Sequence, residues 1–294
     1  MALVVESTAT QSGTNQTSLV QTAPTGIEVG NLLVWVLMGH IPPQPTGWTT
    51  ITTNNSNVRA LYKIADSSDA AASNFTATFG TEDGAASVML RVSGWSSGNP
   101  VYGSNTTDST YGSTPPATLG GSSLTLERPN QQLLIMVNAG VTDDDGAWSV
   151  LFSGHTITSG DSNPTWTEVF DTDNIEFDSG NRNGYLNVAY ATSTDTSQIT
   201  AYAATLTEGG FSGLMDYSAE LFVLVAPTSA TANISRLDIT PSLRPLTGSN
   251  TATANISRLD AEPEFRSVTG KSTSDRTRWN NPTKENTDWN NPTL

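Results

Sequence analysis

Short runs of apolar residues, separated by turn residues, fill the first 226 residues of the chain. The runs are rich in valine, isoleucine, leucine, threonine and aromatic residues, and glycine, proline, asparagine and aspartate bound them, which is typical of β-strands. Only residues 66–72 (DSSDAAA) predict a helical turn, because no segment keeps a 3.6-residue apolar period. The pattern therefore predicts an all-β fold. Strands are predicted near residues 2–7, 32–39, 48–53, 58–64, 75–79, 86–92, 123–126, 132–139, 166–170, 185–191, 199–205 and 219–225.

Two of these strands differ in how their side chains alternate. In residues 32–39 (LLVWVLMG) both alternating sets are apolar, which predicts a central strand that is covered on both faces. In residues 58–64 (VRALYKI) one face carries both Arg59 and Lys63, which predicts a half-exposed strand of a sandwich. The expected architecture is an antiparallel, jelly-roll-like β-sandwich.

The strand patterns recur along the chain. Residues 32–39 match residues 133–140 (LLIMVNAG), and Trp48 and Trp166 follow equivalent turns, where each ring is expected to close one end of a core. Further matches join residues 61–64 to 189–192, 75–79 to 199–203, and 87–92 to 218–223. The recurrence predicts two similar halves, residues 1–112 and 113–226. The alternative is that unrelated β-rich stretches share such patterns.

Composition and the lengths of apolar runs indicate the cellular compartment of the protein. The chain has no cysteine, and its N-terminus (MALVVESTATQSG) lacks the basic and apolar regions of a signal peptide. The longest apolar run, residues 32–38, is too short to span a bilayer. We therefore expect synthesis in the cytoplasm, without secretion and without membrane insertion.

Charge divides the chain into two parts. Residues 1–226 carry five basic and 21 acidic side chains, a net charge of −16, whereas residues 227–294 carry eight basic and seven acidic ones, a net charge of +1. The acidic part repels nucleic acid, so no nucleic-acid partner is predicted. Most arginines lie in the second part, where they are able to pair with an acidic or polar protein surface.

Two nested repeats occupy residues 227–294, which are expected to form an extended docking tail. Residues 231–248 (TANISRLDITPSLRPLTG) recur 22 residues later as residues 253–270 (TANISRLDAEPEFRSVTG), with 12 of 18 positions identical. The sequence WNNPT occurs at residues 279–283 and again at 289–293. Retained apolar positions predict segments that dock into grooves, and the alternative is a flexible terminus. The predicted docking residues are Ile234, Arg236, Leu237, Arg244, Ile256, Arg258, Leu259, Phe265, Arg266, Trp279 and Trp289.

Motifs for catalysis and metal binding are incomplete. Residues 94–98 (GWSSG) match the Gly-x-Ser-x-Gly nucleophile motif, but the Asn-Pro that follows is a poor start for the required helix. The two histidines, His40 and His155, are expected in surface loops. The acidic clusters at 143–146 and 171–174 lack the full calcium-loop pattern. The sequence therefore predicts no enzyme, no cofactor and no metal, with calcium as an alternative at Asp143, Asp145, Asp171 and Asp173.

The order GNLLVWV, PTGWT, ALYKIAD, FTATF and SVMLRVSG in residues 30–94 resembles a tandem β-sandwich family of phage and prophage structural proteins and bacterial surface proteins. The WNNPT copies resemble the Trp-containing terminal repeats of tailed-phage proteins. The resemblance implies a non-enzymatic virion protein, such as a capsid decoration or tail-associated subunit. It would be made in the host cytoplasm, form homo-oligomers and bind capsid, portal or tail subunits.

The alternative function is a glycan-binding module for host attachment or on a bacterial surface. Aromatic rings in exposed loops stack on sugar rings, and four residues are predicted for this role. They are Trp95, Tyr102, Tyr111 and Trp148.

Overall fold

Strands form nearly all of the regular structure of this protein. The computed structural model describes residues 3–39, 42–54, 57–95, 99–111, 118–124, 132–142, 149–159, 163–177, 182–209, 215–225, 231–234 and 253–256. These residues confirm the predicted all-β class, because the helix they contain has only four residues. No helix in the described part of the chain is long and apolar enough to cross a membrane.

The elements follow one another in this order. The first are β1 (Val4–Thr22), β2 (Leu32–Met38), β3 (Thr49–Asn54), β4 (Val58–Ile64), α1 (Ser67–Ala70), β5 (Asn74–Ser93), β6 (Val101–Tyr111) and β7 (Thr118–Leu124). The others are β8 (Gln132–Thr142), β9 (Ser149–Thr158), β10 (Thr167–Phe177), β11 (Arg182–Ser193), β12 (Ile199–Gly209), β13 (Met215–Val225), β14 (Thr231–Ile234) and β15 (Thr253–Ile256).

Three antiparallel sheets form the first of two units, Met1–Thr228, which we call the body. Sheet A has the strand order β1-β5-β2-β4-β3, sheet B has the order β10-β11-β8-β13-β6, and sheet C has the order β7-β12-β9. The second unit, Ser229–Leu294, contains sheet D, in which β14 and β15 pair in parallel. β6 lies within the predicted first half, 1–112, yet it is hydrogen-bonded to β13 of sheet B.

Sheets A and B share one hydrophobic core, which we call the inner core. Every residue of β2 is buried, which confirms the prediction of a central strand covered on both faces. Leu32, Val34 and Val36 of β2 belong to the same buried cluster as Leu133 and Ile135 of β8. Alternate residues of each central strand therefore meet across the two sheets.

The outer face of each central strand is covered separately. Trp35 of β2 packs with Leu19 near the end of β1 and with Phe79 in β5, so the far ends of these long strands cover sheet A. Met136 of β8 packs with Tyr202 of β12, so sheet C covers sheet B. Trp48 is buried in the first of these outer cores, and the half-buried Trp166 packs against the second.

The two large sheets correspond strand by strand. Taken from its other edge, sheet A has the order β3-β4-β2-β5-β1, and sheet B places β10, β11, β8, β13 and β6 at the same positions. The predicted match between residues 61–64 and 189–192 agrees with this pairing, because Ile64 lies opposite Leu32 and Thr192 lies opposite Leu133.

The predicted match between residues 87–92 and 218–223 is wrong by one residue. Val92 lies opposite Leu32, whereas Leu224, and not Val223, lies opposite Leu133. A shift of one residue moves every side chain to the other face of a strand. Glu220 therefore takes the inner-core position that a valine, Val88, holds in sheet A.

The predicted helical turn is present as α1. The side chain of Asp66 accepts hydrogen bonds from the backbone of Ser68 and Asp69, and Asp69 accepts one in return from the backbone of Asp66. This reciprocal capping box satisfies amides that a short helix leaves free. Hydrogen bonds from the Ser68 hydroxyl and from the backbone amides of Asp69 and Ser68 hold the pKa of the Asp66 carboxyl below its usual range.

Candidate functional site

A chain of hydrogen bonds between buried polar side chains links sheet B to sheet C. Tyr217 Oη donates to Asn138 Oδ1 at 2.9 Å, and Asn138 Nδ2 donates to Asn187 Oδ1 at 3.2 Å. His155 Nε2 lies 2.9 Å from the same Asn187 oxygen. All four side chains are buried. Buried amides need such partners because an unsatisfied polar group in a core costs roughly 1–3 kcal/mol.

Strand β10 fixes the orientation of the Asn187 amide. Asn187 Nδ2 donates to Glu168 Oε2 at 3.1 Å and lies 3.3 Å from the Phe170 carbonyl oxygen. Because both of these oxygens are acceptors, the Asn187 oxygen must point the other way, and His155 Nε2 must carry a proton to donate to it. The arrangement therefore holds the register of sheets B and C, and we assign it a structural role.

The position of His155 corrects one sequence prediction. A surface loop was expected, but the residue lies in β9 with 6% of its surface exposed, and its ring centroid is 5.9 Å from that of Trp166. The alternation of residues 149–158 is too polar to predict a strand. Asn138 and Asn187 were also missed, although a single asparagine within an apolar run is a usable signal of a buried amide. His40 lies outside the described residues.

A second buried polar contact joins sheets A and B. Thr52 Oγ1 of β3 donates to Glu220 Oε2 of β13 at 2.5 Å. Glu220 is fully buried, and its Oε1 has no hydrogen-bond partner among the residues that the structure describes. Burial raises the pKa of the Glu220 carboxyl to about 7; the Thr52 hydrogen bond opposes this shift, and the negative charge of Asp108 adds to it. The carboxyl therefore changes charge near neutral pH, inside the inner core.

The predicted docking residues lie mostly outside the described part of the chain. Ile234 and Ile256 are described, and they end β14 and β15. The two strands pair with zero offset, so that each residue of β14 lies beside its equivalent in β15, Ile234 beside Ile256. The residues outside the description are Arg236, Leu237, Arg244, Arg258, Leu259, Phe265, Arg266, Trp279 and Trp289.

Three of the four predicted glycan-stacking residues lie in the described part of the chain. Tyr102 is 37% exposed near the start of β6. Trp95 is half-buried and packs against the inner core, so its ring supports the core. Tyr111 ends β6, and Trp148 lies outside the described residues.

Two of the four aspartates proposed as calcium ligands, Asp171 and Asp173, lie in the described part of the chain. Asp171 Oδ2 accepts a hydrogen bond from the Phe152 backbone at 2.9 Å, which ties β10 to β9. Asp173 lies in β10, and Asp143 and Asp145 lie outside the described residues. Within the described ranges, no three acidic, histidine or cysteine side chains are grouped closely enough to hold a metal ion.

No protein-family model, curated protein or solved structure matches this chain. The family suggested by the hydrophobic pattern therefore stays a prediction, and the functional proposals rest on the residues of the chain itself.

Proposed function

We propose that this chain is a non-enzymatic structural protein of a phage particle, whose β-sheet body is attached through its C-terminal repeats. The observation that carries the proposal is the repeated tail. Segments with the same sequence, TANISRLD, occur twice, and the strands at their start lie side by side in register. Repeated short motifs raise the effective local concentration of binding segments, which strengthens attachment without one strong contact. Capsid, portal or tail subunits are the proposed partners.

We also propose that the body consists of two duplicated, jelly-roll-like sandwich halves. The matching strand order of sheets A and B supports this proposal. The strand pairs on their outer faces support it too. β12 pairs with β7 over sheet B, and residues 74–79 of β5 pair with residues 18–22 of β1 over sheet A in the same way.

Removal of the repeats should abolish incorporation into particles. A chain that ends at Thr228 retains all three sheets of the body, so we expect it to fold with the same circular dichroism spectrum in the strand region. We expect at least a tenfold loss of the protein from purified particles, measured by quantitative immunoblotting against the full chain. A folded truncation that incorporates normally would contradict the proposal.

The alternative function is glycan binding by the body, and the exposed face of β6 favours it. Tyr102, Ser104, Thr106 and Asp108 alternate along this edge strand with their side chains exposed. An aromatic ring followed by hydroxyl and carboxylate groups is suited to stacking on a sugar and accepting hydrogen bonds from its hydroxyls.

If this alternative holds, the body should bind a glycan on an array, and Tyr102→Ala should weaken binding by about tenfold or more through loss of stacking. The matched control is Leu151→Ala, because Leu151 is another exposed apolar side chain, on β9. Equal binding by both variants, or no bound glycan, counts against the alternative.

A further inference from the structure

Sheet D has two edges to which further strands are able to add. Among the described strands, β14 pairs only with β15, and both strands have the sequence TANI. The pairing is parallel, and Thr231 lies beside Thr253 and Ala232 beside Ala254. A two-stranded sheet is at best marginally stable in water, so additional strands stabilise it.

Parallel pairing without offset makes the free edges equivalent to the edges that are already paired. In a parallel sheet, each strand presents one pattern of N–H and C=O groups to its left and another to its right. β14 and β15 have the same sequence and direction. The outer edge of β15 is therefore equivalent to the inner edge of β14, which is paired with β15. Likewise, the outer edge of β14 is equivalent to the inner edge of β15, which is paired with β14. A contact of this kind is head-to-tail and does not terminate itself.

We propose that the free edges of sheet D bind the same repeat strands of a second copy of this chain, in the order β14-β15-β14-β15. The inference deepens the proposed function and rests on it, because it names the partner that the repeats bind first. Identical TANI segments supply the occupant that these edges match, without any change of register.

The size of the body limits the number of copies. Successive chains would enter the sheet about 10 Å apart, because each contributes two strands at roughly 4.8 Å spacing. A domain the length of the body has a radius of gyration of about 17 Å, so bodies crowd one another after a few copies. We therefore expect a small assembly, in which contact between bodies stops the addition of further copies after the first few.

Single cysteines test this order directly, because the native chain has none. Full-length Ala232→Cys and Ala254→Cys variants would be purified separately, oxidised alone, and oxidised together after unfolding and refolding as a mixture. Neighbouring in-register residues are about 5 Å apart, within the reach of a disulfide. We expect a covalent dimer only in the mixture, because residue 232 of one copy lies beside residue 254 of the neighbouring copy and never beside another residue 232.

The matched control is a mixture of Ala232→Cys with Ile256→Cys. This pair is displaced by two residues, which places the Cα atoms roughly 8 Å apart, beyond disulfide reach. We also expect light scattering of the uncrosslinked full chain to give a small multiple of its 31.0 kDa mass.

A monomeric full chain, or an Ala232→Cys plus Ala254→Cys mixture without dimers, would overturn the inference. Strong crosslinking of Ala254→Cys with itself would overturn it as well, because it requires β15 to pair with β15. These assays use purified protein without particles. If they fail while truncation at Thr228 still abolishes incorporation, the inference is wrong and the proposed function stands. If the crosslinks form as expected while the chain truncated at Thr228 still incorporates normally, the inference about sheet D stands and the proposed function is wrong.

Discussion

Replacement of Trp35 by alanine is expected to lower the free energy of unfolding of the body by about 3–5 kcal/mol. The side chain is fully buried between sheet A and the strand ends that cover it. Its ring centroid lies 5.1 Å from that of Trp48 and 6.3 Å from that of Phe75. Removal of the ring leaves a cavity at the centre of this aromatic cluster, and close-packed strands relax only partly into such a space. Urea denaturation followed by circular dichroism measures the loss.

Two further variants separate the cavity from other effects. Trp35→Phe keeps an aromatic ring and removes an indole N–H that has no acceptor among the described residues, so we expect a smaller loss than for alanine. Val29→Ala, at a position that is 67% exposed, should change stability by less than about 0.5 kcal/mol. If Trp35→Ala is as stable as Val29→Ala, the described packing around Trp35 is wrong.

Apolar strands of the body could be predicted from the sequence, because their signal is local. The continuous run of residues 32–38 correctly predicts a strand buried on both faces, and Asp66 and Asp69 mark the helical turn that follows β4. In both cases a few neighbouring residues determine the outcome, through hydrophobic burial in the first and capping hydrogen bonds in the second.

Polar strands could not be predicted, because their partners are distant in the sequence. β6 (VYGSNTTDSTY) and β9 (SVLFSGHTIT) have few apolar residues, and their pairing with β13 and β12 determines their conformation. Residues 80–84 (GTEDG) have the composition of a turn, yet they lie within β5, where Asp83 pairs with Gln16 of β1. Tertiary context overrides local strand preference at these positions.

Candidate sites were harder to predict than strands. The hydrogen bonds of Asn187 join residues from four strands, and no spacing along the chain reveals such a cluster. Glu220 was missed for a related reason, since the sequence match placed it one residue out of register and therefore on the wrong face. The contact with Thr52, 168 residues earlier, becomes visible only when sheets A and B are stacked.

Glu220 should make the stability of the body depend on pH between about 4.5 and 7. The folded state raises the pKa of this carboxyl from 4.5 to about 7, chiefly because burial disfavours its charge. Between these values the folded state binds one proton more than the unfolded state, so the free energy of unfolding falls as pH rises. At 1.36 kcal/mol per pH unit, the loss of unfolding free energy amounts to about 3 kcal/mol. This loss is absent below about pH 4.5 and complete above about pH 7.

Glu220→Gln is the matched variant, because glutamine has nearly the same shape and stays neutral. Its side-chain oxygen is able to accept the Thr52 hydrogen bond that Glu220 accepts. The difference in unfolding free energy between Glu220→Gln and the native chain should be near zero at pH 4.5 and reach about 3 kcal/mol in favour of glutamine at pH 8. Comparison at each pH cancels the titration of groups that do not interact with Glu220. Among the described residues, Asp108 on β6 and Tyr202 on β12 are ionisable groups that do interact with it. A difference that does not change with pH would show that Glu220 is ionised throughout, and that water or movement of β3 relieves its burial. Because burial disfavours the charge of Glu220, the folded body is expected to be more stable when this carboxyl carries its proton.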